Sequence, residues 1–402
     1  MRFADNRNKI GKYIPAVVFL IFIYGMALWF IFSPKPDYSS SEKRYLQKFP
    51  EVTAEKLLSG DFGSEFETFF ADRFPQRNTW VGLNAYTALA EGNNGASGVY
   101  NCKNGYLINK PVSTENNLDK NIGAVADFAK SIDTPTTVML VPSTGYIVDD
   151  VLPTFHDKYN DDEDISKISS TLSKDKIGFV DLRERFKSEY KNGSQLYYKT
   201  DHHWTTKGAY TGYQELCKAL GITPIDDSTL KKDSYPDFYG TTYSSSGFWL
   251  TPPDNIEIWN NPKNSDRNIS VKITEGANIK TSGSMYFTDH LKEDDKYPVF
   301  IDGNHALTEI TNTNAKNGTI LLIKDSFSHS LAPFLAENYS KVVLVDLRYY
   351  KESVSDLVTT YNPEQVVVLY GIDNLATDTD IVWLKYCLLY TSDAADDMQC
   401  VD

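Results

Sequence analysis

The sequence predicts an α/β protein: a parallel sheet flanked by helices, preceded by a membrane-spanning helix and broken by a β-rich insertion. Three observations predict it. The run Ile14 to Phe32 is apolar and uncharged over 19 residues, nearly enough for a hydrocarbon core of about 30 Å. Beyond residue 114, short buried-type strands alternate with amphipathic helices, the pattern of a parallel sheet covered by helices. Between residues 225 and about 316 that pattern stops, and short alternating runs such as NIEIW and YPVFI replace it.

Composition bounds the answer. The chain has 402 residues, of which 41% are hydrophobic and 13% aromatic, so it can bury a core. A formal charge of −14 argues against a nucleic-acid binder, which would present a basic face. Its 26 tyrosines are a usage common in carbohydrate-facing and extracellular proteins. The four cysteines show no metal-type close pairing; Cys102 and Cys217 read as isolated buried thiols, with a bridge between them as the alternative.

The elements follow in order. Arg2, Arg7, Lys9 and Lys12 precede the apolar run, which places the N-terminus in the cytoplasm and the rest outside. Bulky Trp29 to Phe32 lead straight into the linker, with no small-residue cleavage site, so residues 1–33 read as a cytoplasmic tail and an uncleaved single-pass anchor. Residues 34–97 are a linker and helical lead-in, with Phe62, Phe66, Phe69 and Phe70 at helical spacing as packing residues rather than a ligand box. GVYNCKNGYLI, from 98, is a hairpin turning at Asn-Gly. A helix from 115, a strand at 136–143, a helix near 162–175 and a strand at 177–182 follow. A further helix spans 205–221, with Thr205 as N-cap and Gly221 as stop. After the insertion come the strand through Ile320–Ile323, a helix, the strand KVVLVDL, another helix and the strand EQVVVLYG. Residues 98–386 thus form the main domain. From Cys387 the run CLLYTSDAAD reads as translated sequencing adapter, so 387–402 are set aside as an artefact.

Two stretches carry chemistry. In TILLIKDSFSHSL, a buried strand turns sharply at Lys324-Asp325-Ser326 into a helix, which presents Ser326 at the carboxyl end of a parallel strand. Alone, this is an ordinary helix-capping serine. In TDHHWTT, Asp201 and His203 lie two apart on a loop, so that the carboxylate can orient an imidazole whose other nitrogen serves a serine. Alone, that is a polar turn. Together in one α/β domain they suggest a Ser326–His203–Asp201 triad, with Trp204 walling the site and His202 pointing away. GIDN at the end of the last strand offers Gly371 and Asn374 as oxyanion donors, against the plain reading of a turn. His305 lies in a loop near the site, and His329 on a helix surface. A two-metal centre would need further aspartates in a pattern the chain lacks; no metal and no cofactor are expected.

SEKRYLQKFP, ADRFPQRNTW, GVYNCKNGYLI, TDHHWT, LLIKDSFSHSL and VVVLYGIDNL together resemble the bacterial DHHW protein family, over Ser41 to about Tyr386. That family is similar to the SGNH-hydrolase-like domains of alginate O-acetyltransferases of the AlgX and AlgJ type. The resemblance implies a circularly permuted SGNH-hydrolase-like domain, with the Asp/His block ahead of the serine block. It maps Asp201, His203 and Trp204 onto the Asp-x-His-Trp motif, Ser326 onto the nucleophile and Asn374 onto the oxyanion asparagine. It implies acetyl transfer to an exopolysaccharide or cell-wall glycan, with a membrane-bound O-acyltransferase as acetyl donor. The alternatives are an acetyl-ester hydrolase with the same triad and a non-catalytic glycan-binding scaffold. The chain departs from the pattern at Lys324, where SGNH members have glycine, and no second oxyanion glycine is identifiable.

Overall fold

The computed structural model describes residues 2–112 and 117–386; residues 387–402, read above as adapter sequence, lie outside the described residues. The chain divides into two compact units, the first ending at Thr87 and the second starting at Ala88.

In the first unit a helix α1, Arg2–Phe32, contains the 20 apolar residues Tyr13–Phe32, none of them buried. At 1.5 Å per residue this segment is about 30 Å long, enough to cross a bilayer. Thr53 caps the helix Ala54–Ser59, and Gly60, in the left-handed region at φ 88°, separates it from the helix Asp61–Asp72. Phe62, Phe66 and Phe69 surround Phe49, with ring centroids 6.4, 6.1 and 5.4 Å away. The Pro/Ser linker is tied down, because buried Arg73 donates to the carbonyls of Lys35, Pro36, Leu46 and Gln47 and to the Asp37 carboxylate.

The second unit is built on an eight-stranded sheet. Its strands are β1 (Thr136–Val141), β2 (Gly178–Asp181), β3 (Ile269–Glu275), β4 (Asn278–Ser282), β5 (Leu307–Asn312), β6 (Asn317–Lys324), β7 (Tyr339–Val345) and β8 (Gln365–Gly371). They lie in the order β4-β3-β5-β7-β6-β8-β1-β2. The five strands β7-β6-β8-β1-β2 are mutually parallel. The insertion adds β5, β3 and β4 as an antiparallel extension of this same sheet, with Leu307 opposite Val345. It also forms a separate ribbon, Lys231–Phe238 with Asp254–Asn260.

Both faces of the parallel strands are apolar, as a sheet covered by helices requires. Met139, Val141, Ile320, Leu322, Val342, Leu344, Val367 and Leu369 point to one side. There they meet α4 (Arg183–Lys191), α5 (Thr206–Leu220) and α6 (Ser328–Leu335). Val138, Leu140, Leu321, Ile323, Val343, Val345, Val366 and Val368 point to the other. They meet α2 (Asn117–Ser131), α3 (Asp161–Lys174), α7 (Val354–Tyr361) and α8 (Ile372–Thr377).

Local signals behave as their chemistry predicts. Thr205 accepts from Gly208 N–H at 3.1 Å, and Gly221 ends α5 at φ 69°. The 98–108 hairpin turns at Asn104 and Gly105, both at positive φ. Cys102 and Cys217 are free and buried, the first of the two expected readings. One reading fails: YPVFI is not a strand but the short 3-10 turn Tyr297–Val299, and only Phe300 makes a bridge, to Tyr286. Pro298 has no N–H for a ladder, and Ile301 and Asp302 adopt positive φ.

Leu322 is fully buried in the middle of β6. We expect Leu322→Ala to destabilise the chain by roughly 2–5 kcal/mol in urea denaturation. A loss below about 0.5 kcal/mol would mean the strand is not packed on that face.

Candidate active site

The loop carrying TDHHWT closes on itself before it meets anything else. Tyr197 bridges Trp204, Tyr198 N–H donates to the His203 carbonyl, and Thr205 N–H to that of Leu196. Asp254, from the insertion, clamps its base by accepting from Lys199 N–H, Thr200 N–H, Thr200 Oγ1 and Gln195 Nε2. Within the loop, Asp201 Oδ1 accepts from His203 N–H at 2.8 Å and from His203 Nδ1 at 2.5 Å. Its other oxygen accepts from Thr241 N–H at 2.7 Å and Thr241 Oγ1 at 3.1 Å. Gly240 makes that approach possible: a Cβ there would sit 2.1 Å from the Cβ of Asp201. Burial pushes the Asp201 carboxyl up, but the His203 and His202 imidazoles and the bonds from His203 and Thr241 hold it well below the usual carboxylate range.

Ser326 occupies the turn between β6 and α6. This is where the chain order of the sheet reverses, with β7 on one side of β6 and β8 on the other; ligands of open α/β sheets bind at such points. Neighbouring Asp325 ties the turn to the end of β8. It accepts from Gly371 N–H at 2.7 Å, Asn374 Nδ2 at 2.7 Å and Phe327 N–H at 2.9 Å. The two stretches then meet: His203 Nε2 lies 2.7 Å from Ser326 Oγ, and all three side chains are buried. Among the described residues no acceptor takes the Ser326 N–H.

Trp204 lies under the turn, fully buried, and its indole N–H donates to the Phe327 carbonyl and to Ser330 Oγ. It braces the turn from below. Asn374 is at the site, with one amide hydrogen committed to Asp325. It borders a pocket together with His202, Phe327, Gly371, Ser143 and Thr242. His202 does not point away from the site as expected: its ring lies 3.9 Å from that of His203 between centroids, and Nδ1 bonds Thr241 Oγ1 at 2.6 Å. His305 is not brought to this constellation: its ring nitrogens are taken by Glu275 at 2.7 Å and the Asp302 carbonyl at 3.0 Å. Ligand atoms of Asp201, His202 and His203 lie within 4.8 Å of one another, a spacing that suits a metal ion. Both ring nitrogens of His203, both oxygens of Asp201 and Nδ1 of His202 already hold bonds among Asp201, His203, Ser326 and Thr241, so a cation taking those atoms would displace them.

Three contributors were not legible as motifs. Tyr297 stacks on His203 with ring centroids 4.0 Å apart and planes 9° from parallel, and its hydroxyl donates to the Ser326 carbonyl at 3.2 Å. Gly240 and Asp254, also from the insertion, hold the loop as described. None has a distinguishing neighbourhood in the sequence; only the hairpin-like insertion, returning to the sheet, brings them here.

Behind the turn lies a buried polar chain. Lys324 Nζ donates to His329 Nε2 at 2.8 Å and to Asp346 Oδ2 at 2.9 Å, and Asp346 also accepts from Arg348. His329 is therefore a core residue, 1% exposed, not the surface histidine expected, because α6 is buried along its whole length. Lys324, the departure from the SGNH pattern, is with Arg348 one of the two cations of this network. Burial first, and the Lys324 charge second, push His329 well below the ordinary histidine range. The native state thus refuses a proton that the unfolded chain takes up below about pH 6.5. Stability from this site is complete above that pH and is lost as pH falls toward the depressed native value. We expect the wild type to lose up to about 1.4 kcal/mol more per pH unit below 6.5 than His329→Asn, measured by urea unfolding across pH 4.5–7.5. Parallel profiles would place the histidine outside the core.

The family model of the DHHW protein matches residues 112–345. No curated protein matches the chain. Among solved structures, a DHHW family protein from Eubacterium siraeum aligns with TM-score 0.60 and 18% identity, over 72% of this chain and 96% of that one. Bacillus cereus PatB1 carrying a sulfonyl adduct aligns with TM-score 0.58 and 20% identity, over 71% and 96%. The O-acetyltransferase domain of Pseudomonas putida AlgJ aligns with TM-score 0.46 and 14% identity, over 72% and 98%. The likenesses to the Eubacterium siraeum protein and to PatB1 describe a shared mixed α/β fold, and the family match spans more than half of the sequence around the Asp-His-His-Trp loop; the chain belongs to the DHHW protein family.

Proposed function

We propose that this protein is a membrane-anchored, extracytoplasmic O-acetyltransferase acting on an exopolysaccharide or cell-wall glycan through a Ser326–His203–Asp201 triad. The observation that carries the reading is the 2.7 Å contact between His203 Nε2 and Ser326 Oγ, with Asp201 on the other ring nitrogen. Ser326 attacks the carbonyl carbon of an acetyl ester while Nε2 takes its proton. Asp201 holds the Nδ1–H tautomer and stabilises the imidazolium that forms. The Ser326 N–H and the second amide hydrogen of Asn374 are the candidate donors to the oxyanion. Collapse expels the donor alcohol, which takes the proton back. A sugar hydroxyl then attacks the acetyl-serine, with His203 as base, and the serine is restored.

The permuted SGNH-hydrolase-like reading has support in the strand order. Counted from β6, the parallel strands run second, first, third, fourth, fifth (β7-β6-β8-β1-β2). This is the flavodoxin-like order of open doubly wound sheets, with the serine after the first strand. A chain that starts at the fourth strand and returns to the first through the insertion is a permutation of it. On this reading 98–386 is the catalytic domain, 34–97 a lead-in and α1 a single-pass anchor. The basic residues ahead of Tyr13 favour a cytoplasmic N-terminus. The sulfonyl adduct on PatB1 fits a fold that displays a nucleophile. The acetyl donor, a membrane-bound O-acyltransferase, and the glycan acceptor are carried over from the family resemblance.

The test is acetyl-ester turnover by the full chain in detergent, with p-nitrophenyl acetate as surrogate donor and a glycan oligomer as acceptor. Ser326→Ala and His203→Ala should each lower kcat/KM by at least about 10³-fold, and Asp201→Asn by about 10³–10⁴-fold. His202→Ala should stay within about threefold of wild type. Undiminished activity in Ser326→Ala would end the nucleophile reading; no turnover above background by the wild type would leave a scaffold protein; acetate released without acetylated glycan would make the chain an esterase. Tyr297 provides a finer check, because an aromatic pair contributes about 0.5–1.5 kcal/mol. Tyr297→Leu should lower kcat up to about tenfold at unchanged KM, whereas Tyr297→Phe, which keeps the ring, should lose no more than about threefold. Equal losses in the two would assign the effect to the hydroxyl.

A further inference from the structure

The first unit exposes apolar side chains in one neighbourhood. Phe49 is 57% exposed, Val52 64%, Leu57 55%, Leu58 90%, Phe66 39% and Phe70 42%. The helix Ala54–Ser59 has no buried residue at all, although two of its six side chains are leucines. A helix this short draws its stability from packing, so a surface must cover it. The neighbouring helix Asp61–Asp72 turns Phe62, Phe66, Phe69 and Phe70 to one face, and a Lys56–Glu65 ion pair at 2.8 Å joins the two helices.

The position of this face identifies what covers it. Phe30, in the last turn of α1, packs against Phe70 at 4.6 Å and Phe69 at 6.2 Å between ring centroids. The exposed face therefore starts where the 20-residue apolar segment ends. Lys35 lies over the Phe30 ring, its amine 3.9 Å from the centroid. This is the arrangement of an aromatic residue and a flanking cation at the edge of a bilayer. The carbonyls held by Arg73 fix residues 35–37 and 46–47 against the helix Asp61–Asp72, so the chain is folded beside the end of α1 rather than leading freely away from it.

We propose that residues 45–72 form an interfacial platform that lies in the headgroup layer of the membrane spanned by α1, with Phe49, Val52, Leu57, Leu58, Phe66 and Phe70 inserted among the lipids. The proposal rests on the anchor reading of α1. Residues 37–73 carry eight acidic and five basic side chains, so apolar insertion, not attraction to anionic lipid, holds the platform.

The test uses the full chain reconstituted in phosphatidylcholine vesicles, with Cys387→Ser and Cys400→Ser to leave only the buried cysteines. Spin labels are placed singly at Leu58→Cys, Phe66→Cys and, as an aqueous reference, Ser228→Cys. Labels at 58 and 66 should collide with dissolved oxygen more often than the reference, and with a water-soluble nickel chelate several-fold less often. The same depth should appear after addition of phosphatidylglycerol and at every protein-to-lipid ratio. Nickel accessibility equal to that at 228 would overturn the platform. Shielding that appears only at high protein-to-lipid ratio would overturn it in favour of a second copy of the chain. Shielding that needs phosphatidylglycerol would overturn the apolar mode of binding. Release of the chain from vesicles by alkaline carbonate would overturn the anchor itself, which separates that failure from the platform's.

Discussion

The hydrogen bond between His203 Nε2 and Ser326 Oγ joins residues 123 positions apart, and most of the second unit is arranged around it. A contact of 2.7 Å does not survive a displacement of one ångström. Both partners must therefore be fixed independently, on elements that do not move relative to each other. Ser326 is fixed because β6 is an interior strand with a parallel neighbour on each side. His203 is fixed because its loop is clamped at the base by Asp254 and pressed from outside by Gly240. Trp204 and Tyr297 then bond directly from the histidine side to the serine turn, at the Phe327 and Ser326 carbonyls.

Buried charge is what this arrangement costs. Asp201, Asp325, Lys324 and Asp346 are each at most 2% exposed. An isolated charge in such a place would be untenable, and each has been given partners. Asp201 and Asp325 accept from backbone N–H groups as well as side chains, so both carboxylates report on backbone position. Lys324 and Asp346 pair with one another and with His329 and Arg348. Such networks are weak sources of stability and strong sources of orientation, since any other geometry leaves a charge unpaired. They lie directly behind and beside the proposed nucleophile, where orientation matters most.

The insertion, which looks in the sequence like an interruption, is part of the site. It extends the sheet through β5, β3 and β4 and returns Tyr297 to the face of the imidazole. The same segment carries Gly240, Thr241 and Asp254 to the loop.

What the amino-acid order determined by itself was everything that depends on near neighbours. Runs such as ILLI and VVVL declare strands buried on both faces, Thr205 and Gly221 bound a helix, and an uncharged 19-residue run declares a helix long and apolar enough to cross a bilayer. The residues of the proposed triad stood out because they have chemically unusual surroundings: two histidines beside an aspartate, and a serine where a buried strand stops. Tertiary structure alone decided the rest. His329 has helical spacing like any surface histidine, and only the burial of α6 from all sides makes it a core residue. His305 has a polar loop around it, and only the fold gives its nitrogens to Glu275 and Asp302. Tyr297 sits in a run whose alternation suggests a strand until Pro298 forbids the ladder. The physical reason is the same in each case. Propensity and periodicity are properties of a few consecutive residues, whereas burial and hydrogen-bond partnership depend on which distant segment arrives, and no local pattern encodes that arrival.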